Sequence, residues 1–204
     1  MSWFHWITLS ALAVCLVSLL YHLIRLIHLG KPKDRSRKSG RIAPAVIYSF
    51  TSAMSPASKE SAFLHLPTYT AGIIYHIATC ISLAVFVPIF LGMSLPAMPG
   101  YLLAFVAFAG SASGWAILIK RISDKKLRKL SNPDDYLSNV LVNVFQLLTG
   151  LTLLNSALLP VFLLSAALLF LYMPVGKLKH MIYFFAARYH LGFFYGWRNV
   201  WPPR

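Results

Sequence analysis

Apolar residues gather into five long runs, at about 3–28, 70–91, 101–120, 136–155 and 158–176, and charged residues fall between the runs or at their edges. Each run is close to the roughly 20 residues that a helix needs to cross the hydrocarbon of a bilayer. The pattern therefore predicts an all-α fold, a polytopic membrane bundle of five transmembrane helices. The whole of 1–204 reads as a single membrane domain whose last residues, 177–204, form an interfacial, cytoplasmic tail.

The segments between runs differ in kind. Lys31-Pro-Lys-Asp-Arg-Ser-Arg-Lys-Ser-Gly-Arg41 opens a semi-polar stretch that reaches Glu60 and carries Pro44 and Pro56, a loop with an interfacial segment. The second connection, Gly92–Gly100, is uncharged, the third, Arg121–Asp135, is strongly basic, and the fourth, around Asn155–Ala157, is minimal and uncharged. Basic loops stay on the cytoplasmic side of a membrane, which places the N-terminus outside and the C-terminus inside. All formal charge then lies on one face.

Composition agrees with this reading. With 58% hydrophobic and 12% charged residues and mean hydropathy +0.66, the chain lacks the charged exterior of a soluble domain. A net charge of +14 would elsewhere suggest nucleic acid. Here it orients helices, so membrane lipid and not nucleic acid is the expected partner. Residues 1–6 carry no Lys or Arg, and no small-residue cleavage site follows the first run, so that run is expected to be retained. Cys15 and Cys80 lie in apolar runs without metal-ligand spacing and read as packing residues.

Polar and small residues inside the runs are the first candidates for function. Gly110, Ser111, Ser113 and Gly114 stripe the third run, and Asn139, Asn143, Gln146 and Gly150 stripe the fourth. Such stripes serve close helix packing with interhelical hydrogen bonds, or make room for a flat prosthetic group.

An ionisable side chain within a span is costly to insert and usually has a role. His76 lies about six residues into the second run, roughly 8 Å inside its edge at 1.5 Å per residue. His180 follows the fifth run at similar depth, after Lys177 and Lys179, whose side chains can snorkel to the interface. Two imidazoles at matched depth on two helices suit six-coordinate haem b, an electron-transfer centre. Gly72, one turn before His76, would let a porphyrin edge approach. His65 and His190 are a second-rank pair, roughly 16 Å nearer the basic side, that would hold a second haem. His22 and His28 flank Arg25 at the end of the first run, as interfacial anchors or quinone contacts. Lys177 joins His22 and Arg25 as a residue of the quinone vicinity. His5 reads as interfacial.

The chain resembles membrane cytochrome b subunits related to the respiratory nitrate reductase gamma chain, and more closely those of heterodisulfide-reductase-like and sulfite-reductase-linked menaquinol complexes. The resemblance runs from about Ala57 to the end. It rests on Phe63-Leu-His-Leu-Pro-Thr-Tyr69 leading into Tyr75-His76, on Lys126-Leu-Arg-Lys-Leu-Ser-Asn-Pro-Asp-Asp-Tyr136, and on Leu148-Thr-Gly150. Pro174-Val-Gly-Lys-Leu-Lys-His180 and Arg188-Tyr-His-Leu-Gly-Phe-Phe-Tyr-Gly-Trp-Arg198 complete it.

The resemblance implies a five-helix bundle carrying haem b between quinone, menaquinone or ubiquinone, and a cytoplasmic iron–sulfur subunit. His180 matches the cytoplasmic-side ligand of the fifth helix, and either His65 or His76 aligns as its partner, with depth favouring His76. Phe162 stands where the outer-haem ligand would lie, so one haem is expected and quinone should react near the inner haem. The expected function is a haem b membrane anchor moving electrons while substrate chemistry occurs on another subunit. The contrasting expectation is a cofactor-free membrane scaffold or small transporter subunit.

Overall fold

The computed structural model describes residues 2–29, 35–58, 63–93 and 95–203, and all regular structure among them is helical. Lys31–Asp34, Lys59, Glu60 and Ser94, which belong to the loops discussed above, lie outside the described residues.

Among the described residues eight α-helices follow in order: α1 Trp3–Leu29, α2 Ile42–Phe50, α3 Leu66–Phe90, α4 Ala97–Ser123, α5 Lys125–Lys129, α6 Pro133–Leu154, α7 Leu159–Tyr172 and α8 His180–Trp197. Four of them, α1, α3, α4 and α6, are long and apolar enough to cross a membrane uninterrupted. The fifth expected span differs. α7 has 14 residues, about 21 Å of helix, and stops short of the ~30 Å hydrocarbon thickness. The turn Met173–Gly176 separates it from α8, and only if the pair is taken as one broken span does the count reach five. The tail expected at 177–204 is itself mostly an 18-residue helix, α8, and the segment of the first loop expected to be interfacial contains α2.

Local chemistry sets the helix ends. α3 terminates on Gly92, whose φ of +67° suits a residue without Cβ. Gly92 N–H reaches Ile89 O at 3.0 Å and Met93 N–H reaches Pro88 O at 2.9 Å, the paired bonds of a helix-ending left-handed turn. α4 ends at Asp124, whose carboxylate accepts from the N–H groups of Lys126 and Leu127 and so starts α5. α6 opens with Pro133 behind Asn132, and Asn132 and Asp135 cap each other's backbone N–H reciprocally at 3.0 Å.

The chain forms two compact units. The first comprises Met1–Leu16 and Pro67–Leu178, the second Val17–Leu66 and Lys179–Arg204. In the first, α4 packs most closely on α6, and α6 on α7. Its core is aromatic: Phe162 is fully buried, stacked on Phe145 at 5.5 Å and close to Phe86 at 6.1 Å. The start of α1 joins it through Thr8, whose hydroxyl meets Leu163 O at 2.9 Å, and Cys15, which lies against Met173 sulfur at 3.9 Å. In the second unit α2 packs on α8 with backbones nearly touching. A Cβ on Gly192 would strike the Val46 backbone, and one on Gly196 the Ala45 side chain. Ser49 bonds Arg188 O at 2.9 Å, and Trp197 Nε1 bonds Ser36 O at 2.9 Å.

Candidate functional site

Within the first unit the two small-polar stripes meet each other. Gln146 Nε2 donates to Thr79 Oγ1 at 2.7 Å and to Tyr75 O at 3.1 Å, Ser111 Oγ donates to Asn143 O at 3.2 Å, and Asn143 Nδ2 donates to Asn139 Oδ1 at 2.7 Å. The glycines are filled positions. A Cβ on Gly110 would hit Ala78, one on Gly114 would hit Asn143 and Tyr75, and one on Gly150 would hit Phe108. The amide oxygens of Asn143 and Gln146 find no N–H or O–H donor. They lie instead beside the Gly114 and Gly110 positions, where a Cα–H is a weak donor. Helix packing therefore occupies both stripes, and they hold no slot for a flat group.

The open glycine face is elsewhere. Gly72 on α3 meets nothing within 4 Å at its Cβ position, and His76, one turn further on the same face, is exposed on the surface of its unit. Ile73 and Ile77, also exposed, extend the apolar surface beside it. An imidazole beside an open backbone face, with isoleucines at its edge, is chemistry that would suit one side of a haem b.

The other candidates divide between the units. His180 is the exposed first residue of α8 in the second unit, where His65, exposed, and His190, half-buried on α8, also lie. His22 Nδ1 lies 3.4 Å from the Tyr183 hydroxyl, Arg25 is exposed three residues beyond, and His28 Nδ1 bonds Ile24 O at 2.8 Å. Lys177 belongs to the first unit, where its ammonium pairs with the Asp135 carboxylate. Arg121 stands 3.8 Å from the same carboxylate and donates to Ser131 Oγ at 2.9 Å. His5 rests its ring against Phe90 at 5.5 Å. Among the described residues no three His, Cys, Asp or Glu side chains cluster to hold a bare metal ion.

Two features escaped the sequence pattern. One is the Asp135–Lys177–Arg121 clamp at the charged end of the first unit. The other is a cavity of about 460 Å³ at its uncharged end, lined among others by Ile89, Gly100, Tyr101, Thr152, Ser156 and Leu159. Gly100 is buried and its Cβ position is empty. Thr152 is 7% exposed and its hydroxyl lacks a partner.

Fold and site together define a multi-pass α-helical membrane protein with four uninterrupted apolar helices, or five spans with the broken pair. No family model, curated protein or solved structure matches the chain.

Proposed function

We propose that this chain is a haem b membrane anchor that carries electrons between quinone and a cytoplasmic iron–sulfur partner subunit in a prokaryotic inner membrane. The observation that carries the reading is His76, an ionisable group on an apolar spanning helix, set one turn from the bare face of Gly72. Bound haem b supplies reversible one-electron chemistry at iron. His76 would hold it from α3, with His180 the second ligand expected from the sequence. Phe162, locked in the aromatic core, supplies neither ligand nor room for an outer haem.

The basic loop residues Lys125, Lys126 and Lys129 would steer an acidic patch of the partner toward the membrane. For quinone, the cavity at the uncharged end competes with the vicinity of His22, Arg25 and Lys177 expected from the sequence, because Lys177 is already paired. Ile89 lies about 20 Å from His76 along α3, a gap that the breadth of a porphyrin narrows.

The test is optical. The full chain purified from haem-replete cells is expected to show reduced-minus-oxidised bands of a low-spin b haem, at one haem per chain. The bands should vanish in His76→Ala and in His180→Ala and persist in His65→Ala and His190→Ala. The packed stripes favour a second reading, a cofactor-free scaffold or small transporter subunit, and a colourless wild-type protein would establish it instead.

A further inference from the structure

The charged end of the first unit carries a groove of about 650 Å³ lined by Arg128, Ser131, Pro133, Tyr136, Leu137 and Val140. Its chemistry is graded along the chain. Arg128 and Ser131 come first, Tyr136 follows, and Leu137 and Val140 continue down α6 into the apolar span. Leu137 is 47% exposed, and Leu130 beside the groove is 83% exposed. Apolar surface of this kind is suited to hydrocarbon and not to water.

Charge around the groove is arranged to leave a cation over. Asp124 is used in capping α5, Asp135 is neutralised by Lys177 and Arg121, and Asp134 accepts from Ser138 at 3.3 Å. Lys125, Lys126, Arg128 and Lys129 crowd α5, and Arg128 is the one of these four that lines the groove. A guanidinium above an apolar floor complements a phosphate joined to acyl chains: the fork binds phosphate oxygens, and the chains lie along Leu137 and Val140. An acidic segment of a soluble protein would use the cation and have no use for the floor.

The geometry points to a binding groove for one anionic phospholipid between α5 and the start of α6, with Arg128 on the headgroup phosphate and Leu137 and Val140 under an acyl chain. This does not rest on the haem reading, and haem content is measured on every sample to keep the two separate.

Native mass spectrometry of the full chain with added phosphatidylglycerol or phosphatidylcholine tests it. The wild type is expected to retain one phosphatidylglycerol with at least fivefold preference over phosphatidylcholine. Arg128→Gln should abolish that preference, whereas Lys125→Gln, an equal charge change on the same helix outside the groove lining, should leave it within twofold. Val140→Trp, which fills the floor without altering charge, should also lower retention. Equal losses in Arg128→Gln and Lys125→Gln would overturn the groove in favour of diffuse attraction, as would equal retention of phosphatidylcholine by the wild type. If Arg128→Gln weakens binding of a poly-glutamate peptide and leaves phosphatidylglycerol retention unchanged, the surface belongs to an acidic protein and the lipid proposal is wrong.

Discussion

Thr152 and Ser82 are both buried with hydroxyls that lack a partner, but only Thr152 borders a cavity among those described. An unsatisfied buried hydroxyl costs about 1–3 kcal/mol, and Thr152 carries that cost at the wall of the cavity. Thr152→Val, which removes only the unpaired hydroxyl, should raise resistance to denaturant by about 1 kcal/mol and leave the haem spectrum alone. Unchanged stability in a denaturant titration would show that the hydroxyl carries no such cost.

Little of this was legible beforehand, because a threonine in Leu151-Thr-Leu-Leu154 looks like any apolar-run threonine. His76 stood out as a candidate, since an imidazole in an apolar run is costly to insert, and the structure places it exposed on α3. The glycine stripes were legible as inward-facing but not as to their use. Whether Gly110 and Gly114 admit a cofactor or a neighbouring side chain depends on Ala78 and Tyr75, residues that share no motif with them.

Between elements, Asp135 ties the start of α6 to Arg121 at the end of α4 and to Lys177 after α7. Its side chain is only 5% exposed, so Asp135→Asn leaves two cations facing a weakened acceptor and should cost about 2 kcal/mol. Lys177→Met should cost less, because the lysine side chain is itself 55% exposed. The double variant should fall short of the sum, as pairs in direct contact do. Additive losses, measured by denaturant titration in detergent, would show that the clamp is not a functional unit.

The cap at Asn132-Pro-Asp-Asp135 was readable as local sequence, but its partner lies 42 residues away and could not be. The break behind the fifth run was hidden because hydropathy runs smoothly through 158–176 while the helix stops at Tyr172. Pro174 has no N–H to continue the ladder, and Gly176 lies against the Tyr172 ring in the turn that follows.

At the level of the whole chain, apolar composition alone announced a membrane protein, and alternating loop charge gave it an orientation that labelling can check. Met98 in the uncharged connection is 80% exposed and Leu130 in the basic one 83% exposed, so cysteines at both sites are reachable. In a background without Cys15 and Cys80, Met98→Cys should react with a membrane-impermeant maleimide on intact cells, and Leu130→Cys only after the membrane is opened. The reverse pattern would invert the proposed topology. The partition of the chain into two compact units was invisible to hydropathy, which registers transfer into lipid and is blind to which helices touch.

The shortness of α7 bears on how the protein reaches its membrane. Alone, the 14 residues of α7, behind a connection of four, Asn155–Leu158, are short for an independent span. Its packing on α6 should then help to retain it in the bilayer, so a chain arrested after Tyr172 should be held less firmly than one that continues through α8, and quality control would meet it there first.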